Sequence, residues 1–275
     1  PFHTWEQKVV LILHEVRCRE FTQRNLKTGV CEPCRFSLYN IAFFDFDKES
    51  EVVHGPLFRD ITPSGYERLD TSFNVISIKV AESDVRYPIH IYGTVLTRDK
   101  NDYRCVYLFK RGRDEPQIIT RKKRFCPYLK SEPGPKILKL QNRMLALTGP
   151  YRALGGTSHM YFEFDLKIRG EEAVDEDFNK GLLELHAFMH TFGVPCTSSL
   201  QSYPRTVDMV CVPVHQALEA SIGVNFLNGK STFAGKIFAS TSESDTSKLV
   251  MYDSQVPGTK TEFGSDGSVS SSRHV

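Results

Sequence analysis

No apolar run in these 275 residues approaches the roughly 18 that a membrane helix needs. The longest, Val9–Leu13, also lacks a small-residue cleavage site, so it reads neither as a span nor as a signal peptide. Asn followed two places later by Ser or Thr occurs nowhere, so the sequence offers no N-glycan acceptor. There is no Gly-x-Ser-x-Gly elbow, and His14-Glu15 lacks the second His of a His-Glu-x-x-His site. The glycines between Gly149 and Gly156 are not followed by the Lys-Ser/Thr that would reach a phosphate, so this stretch reads as a turn. The other His residues show no spacing that singles out a base. The seven cysteines are odd in number and lack the spacing of a stapled small scaffold, in a chain long enough not to need one. A reducing compartment, cytoplasm or nucleus, is the expected location.

What is present is an ordinary globular composition, 40 % hydrophobic and 25 % charged, enough to bury a core in one large β domain or two small ones. The net charge of +2 conceals an asymmetry. Residues 121–143 hold eight Lys or Arg against one acid, which leaves the rest of the chain at −5. An acidic body is ill suited to tracking phosphates, so nucleic acid would be met only through that insert, where Phe125 and Tyr128 accompany Arg121-Lys122-Lys123-Arg124. Pro127, Pro133, Gly134 and Pro135 favour a solvated loop there, with nuclear import as the functional alternative.

The opening segment predicts a helix: Thr4 and Gln7 make a capping box, and Val9, Ile12, Leu13 and Val16 recur at helical spacing. From Thr28 to Thr71 glycines and prolines break every apolar run, so residues 1–70 read as an N-terminal helix and an irregular lead-in. From residue 71 to 275 strands dominate. Phe73–Val80 alternates, and Ile89–Thr97 and Tyr103–Lys110 flank a polar turn that makes them a hairpin. Met160–Ile168 has a clean period of two. After the acidic stretch Glu171–Asp177, read as a solvated linker, the pattern restarts from about residue 178 as a possible second sub-sheet, with strands expected at Leu182–Met189, Val207–Val214, Leu218–Phe226, Thr232–Ala239 and Lys248–Asp253. The expected fold is all-β, an antiparallel β-sandwich-like body. The chain starts without Met and stops at Val275 just as another strand could begin, so an upstream segment is left open and a truncated C-terminus is expected.

Five stretches carry a resemblance. They are YGTVLTRDKNDYRCVYLFKRGRDEPQIIT from Tyr92, LALTGPYRAL from Leu145, MYFEFDLKI from Met160, EASIGVNFLNGKSTFAGKI from Glu219 and LVMYDSQVPGTKTEFGSDGSVSSSRHV from Leu249. In this order they are similar to a large grass-lineage family of a plant domain of unknown function, which in some members is fused to a ribosome-inactivating N-glycosidase. The similarity runs from about Leu57 to Val275. It implies a shared fold and no agreed activity. Family members pass almost directly from Gln117–Thr120 to Met144–Leu147, so 121–143 looks like an insertion or a retained non-coding stretch.

The fusion makes rRNA depurination the enzyme reading to weigh, and that chemistry needs a helical Glu-Ala-x-Arg core. The nearest string, Glu219-Ala220-Ser221-Ile222, has Ile where the Arg would stand and alternates as a strand. His14, Cys18, Cys31 and Cys34 could supply four zinc ligands, although plain thiols in a lead-in are the preferred reading. Asp45 with Asp47 resembles calcium-loop acids but lacks an EF-hand's Gly and closing Glu, and Asp99 with Asp102 resembles the calcium loops of membrane-docking β-sandwiches, which need oxygens from two or more loops, so both read as solvated turns. No catalytic residue and no cofactor is expected. The binding-loop candidates are Arg98, Asp99 and Asp102 in one turn and Tyr151 and Arg152 in another. The sequence therefore reads as a non-catalytic interaction domain with a protein partner, in stress or defence. A degenerate or accessory partner of an rRNA N-glycosidase is the alternative. A carbohydrate- or lipid-binding module is the second, and it would expose aromatics at one loop end, with Tyr87, Tyr92, Tyr103, Tyr107 and Tyr161 as candidates.

Overall fold

The computed structural model describes residues 22–24, 27–29, 31–33, 45, 47–52, 71–99, 101–102, 104–120, 143–156, 160–170, 174–218, 224–225, 232–240, 248–254, 259–262, 264 and 268–269. Twelve strands are found there: β1 (Thr22–Arg24), β2 (Cys31–Pro33), β3 (Ser72–Glu82), β4 (Ile89–Arg98), β5 (Val106–Arg111), β6 (Gln117–Ile119), β7 (Met160–Ile168), β8 (Glu176–Leu185), β9 (Cys196–Ser202), β10 (Arg205–Val214), β11 (Lys236–Ala239) and β12 (Leu249–Asp253). All paired strands among them are antiparallel, and the described residues include no α-helix. The fold is all-β. The helix expected from Thr4 lies outside the described residues.

Two sheets form the body. The larger runs β5-β4-β7-β8, with β6 and β5 lying end to end along the same edge of β4, and the smaller runs β3-β10-β9. Their apolar faces meet in one core. Phe73, Val75, Ile78 and Val80 of β3 and Val207, Met209 and Cys211 of β10 are buried with Val95, Phe162, Phe164, Leu166 and Phe178 of the larger sheet. Phe73 and Phe162 touch across the gap with ring centroids 6.1 Å apart. Burial of each such side chain stabilises the fold by about 1.5–3 kcal/mol.

The period of two in β7 is kept at Met160, Phe162, Phe164, Leu166 and Ile168, all buried. Glu163 breaks it, being buried on the other face because Arg98 of β4 reaches it at 2.7 Å. β4 also depends on a glycine. Gly93 has φ +113, and a Cβ there would lie 2.1 Å from the Asp165 carbonyl oxygen, so no other residue fits the approach of β7.

Residues 143–156 act as a strap along the exposed sheet edges. Leu145 N–H donates to Ile78 O on β3, Thr148 and Gly149 N–H both donate to Leu108 O on β5, and Phe73 N–H donates back to Leu154 O. Gln117 clamps the strap from the side, donating to Met144 O and accepting from Ala146 N, each at 2.8 Å. Edge groups that would otherwise invite another chain are thereby occupied. On the opposite side β8 packs on β9: Asn179 donates to Leu200 O at 3.1 Å, and a Cβ on Gly181 would meet the Leu200 side chain at 3.2 Å.

Several boundaries differ from expectation. The strand expected at Leu182–Met189 instead begins at Glu176 and ends at Leu185, and a 3-10 turn at Ala187–Met189 follows. It starts early because Asp177 faces Lys167 across the ladder, an opposite-charge pair that favours pairing. Part of the acidic linker is therefore strand. Of the strand expected at Leu218–Phe226, only Leu218, Val224 and Asn225 are described; Asn225 makes an isolated bridge to Ser268. β11 covers only the second half of Thr232–Ala239.

Candidate functional site

The five binding-loop candidates come together at one end of the larger sheet, but most of their polar atoms serve one another. Asp99 and Arg152 form a two-toothed ion pair, Nη1 to Oδ2 at 2.6 Å and Nη2 to Oδ1 at 2.8 Å, and both side chains are almost fully enclosed. Asp99 also accepts from Gly155 N at 2.7 Å, Asn101 N at 3.1 Å and Asp102 N at 3.2 Å. Asp102 accepts from Arg104 N and, at 2.8 Å, from the Ser50 hydroxyl. Tyr151 donates its hydroxyl to the Ser50 carbonyl, and Arg98 pairs with Glu163. A carboxylate that already accepts several N–H groups has little capacity left for calcium. This knot fixes the hairpin turn to the strap and to residues 48–50, where Ser50 N–H donates to Cys105 O and Cys105 N–H to Lys48 O. Its chemistry is positioning.

At the other end, Asp175 joins three segments. It accepts from Tyr92 Oη at 2.7 Å, Arg113 Nε at 2.8 Å and Gly170 N at 3.2 Å. The Arg113 and Tyr92 hydrogen bonds hold its carboxyl down at about 2, while burial, then the Asp175 carboxylate, pushes the Tyr92 phenol up to about 12. Nearby Arg205 bridges Asp84 at 2.7 Å and Glu176 at 3.0 Å, tying β10 to β8.

The expected tyrosines do not make an exposed cluster. Tyr87 packs against the core, Tyr92 is tied to Asp175, Tyr107 lies beneath the Lys110 ammonium, and Tyr161 reaches Glu184; Tyr103 lies outside the described residues. Apart from Tyr203 in the β9–β10 turn and Phe238 in β11, the exposed aromatics among the described residues are in the β8–β9 connection. Two tight turns follow each other there, closed by Met189 N–H to His186 O and Val194 N–H to Thr191 O, with Gly193 at φ +74. They leave Phe188 55 %, Met189 81 %, Phe192 37 % and Val194 51 % exposed. Phe188 meets Phe192 edge-on at 6.4 Å, and Phe192 stacks on His215 at 4.9 Å. Gly193 N–H donates to Pro213 O at 2.8 Å, which anchors the loop to the end of β10. The sequence pattern hides this group, since Phe188 and Met189 fall inside the strand expected at Leu182–Met189. The signal was His186–Pro195 itself, three large apolar residues at non-alternating positions before a Gly-Val-Pro turn.

Elsewhere the described residues hold no cluster of three His, Cys, Asp or Glu side chains that could bind a metal ion. Of the zinc candidates, His14, Cys18 and Cys34 lie outside the described residues, and Cys31 is placed only as the first residue of β2. Glu219, Ile222 and residues 121–142 also lie outside them. A cavity of about 260 Å³ beside β11 and β12 is lined by Val224, Ile237, Phe238, Met251, Tyr252 and Val269 among others, with no titratable pair among the described residues that line it. No described helix is long and apolar enough to cross a membrane.

No curated protein and no solved structure matches this chain. One family does, matching residues 72–275, from the first residue of β3 onward. The chain belongs to the family described as domain of unknown function DUF6598.

Proposed function

We propose that this chain is a non-catalytic interaction domain with a sandwich-like body, and that it docks on a protein partner through the 187–195 loop. The observation that carries the reading is the exposure of Phe188, Met189, Phe192 and Val194 on one connection. Grouped apolar side chains on a folded surface cost solubility, and Phe and Met are enriched where proteins meet proteins. Met189 adds an adaptable thioether that fits irregular partner surfaces. A sugar would need several hydrogen-bonding side chains around the rings, and here the rings that meet Phe192 are Phe188, which is apolar, and His215. An anionic lipid surface would call for Lys or Arg beside the apolar tip, and residues 186–195 contain neither. The similarity to a plant family with fusions to a ribosome-inactivating enzyme is what attaches stress or defence to the reading.

The test replaces Phe188→Ser and Met189→Ser together. Both side chains are largely in solvent, so the melting temperature is expected to stay unchanged. Chemical cross-linking in an extract of the source organism should yield a discrete partner with the parent chain and lose it with the double variant. A partner retained by the variant contradicts the reading. Co-sedimentation of the parent chain with phosphatidylserine vesicles, lost in the variant, would replace it with the lipid alternative.

A further inference from the structure

Cys196 opens β9, Cys211 lies in β10, and the register sets them directly opposite one another. Opposed residues of an antiparallel pair share a face, with Cα atoms about 4.5 or 5.5 Å apart depending on the pair type. Both separations lie inside the range of about 4.4–6.8 Å that disulfides span, so the backbone spacing suits a bond. The row continues as Ser198 opposite Met209 and Leu200 opposite Val207, the face that looks toward the core. Both thiols are free; Cys211 is fully enclosed and Cys196 partly exposed on the outer strand of its sheet. Burial raises both thiols, Cys211 well above the ordinary range, and the neighbouring Cys196 charge is the second cause there. The pair therefore rests as two thiols at neutral pH.

We propose that Cys196 and Cys211 form a reversible cross-strand disulfide, a modification site that fastens the base of the aromatic loop. A small-molecule disulfide such as oxidised glutathione is the oxidant. The Cys196 thiolate attacks one of its sulfurs, forms a mixed disulfide and releases one glutathione thiol. The Cys211 sulfur, its proton passing to solvent, then attacks Cys196 Sγ and displaces the second glutathione as a thiol. Two protein thiols lose two electrons and two protons, and one small disulfide becomes two thiols. Cys196 is the entry point because it alone of the two reaches solvent. The bond would tie two mounts of the loop together: Cys196 directly follows Pro195, and Cys211 stands two residues before Pro213, whose carbonyl holds Gly193. This inference does not depend on what the loop binds.

The full chain is incubated with oxidised glutathione, alkylated, digested without reductant and mapped by mass spectrometry, with hydrogen exchange followed on residues 187–195. The expected product is a Cys196–Cys211 linked peptide that dithiothreitol separates, accompanied by severalfold slower exchange in the loop. Cys196→Ser removes both effects, Cys211→Ala accumulates the mixed disulfide on Cys196, and Cys105→Ser changes neither. Glutathione retained on Cys196 of the parent chain, a bond to a different cysteine, or unchanged loop exchange would each overturn the proposal.

Discussion

The Asp99–Arg152 pair shows how a residue that looks like a binding group can be a structural one. An aspartate and an arginine in polar turns invite a ligand reading, yet each completes the other, and three backbone N–H groups fill the carboxylate. Removing one member leaves an enclosed charge without its counterpart. Arg152→Met should therefore lower unfolding free energy by about 3–5 kcal/mol in urea titration. A value under about 1 kcal/mol would mean that water reaches Asp99. Gly93→Ala should also destabilise, by about 1–3 kcal/mol from the positive φ alone and more from the clash with Asp165 O, read from the same titration. Asp175 gives a pH dependence. Its folded carboxyl is depressed to about 2, so its stabilisation is complete above the ordinary carboxylate range near pH 4 and is lost as pH falls toward 2. In thermal melts between pH 5 and 2, Asp175→Asn should flatten the acid limb relative to the parent chain; identical limbs would exclude Asp175 as a source.

At the scale of elements, alternation was legible where a strand has one wet and one dry face. β7 matched its expected bounds, Met160–Ile168, and β3, β4, β10 and β12 fell within a few residues of theirs. The segments that failed were those whose side chains answer to distant partners. Glu176 and Asp177 look like linker acids until Arg205 and Lys167 are brought beside them. Leu145–Leu154 lacks any periodicity because it is a strap whose backbone bonds to two sheets in turn. The candidate site divides the same way. Arg98, Asp99 and Asp102 on one turn and Tyr151 and Arg152 on another were legible as turn residues, since turn chemistry marks turns, while their meeting and mutual enclosure depend on contacts about fifty residues apart along the chain. The aromatic loop is legible only as a break in alternation at Phe188-Met189, because exposure is a property of the fold and hydrophobicity alone argues for burial.

Over the whole molecule, the sheets are closed on one side by the strap and on the other by β8 against β9, and both ends are pinned by ion pairs. The 187–195 loop projects from the Asp99 end of the larger sheet, where Leu185 of β8 pairs with Met160 of β7, and its apolar side chains stay exposed there. Solubility would select against four exposed apolar residues on one connection unless something covers them, which is why the loop carries the functional reading. The most direct test of that claim places a photo-cross-linking amino acid at position 192 and, as control, at position 203, where Tyr203 is 92 % exposed in the β9–β10 turn. Irradiation in an extract of the source organism should give a discrete protein adduct from position 192 and none from 203. Equal adducts from both positions, or none from 192 in an extract where the partner is otherwise recovered, would contradict docking through this loop.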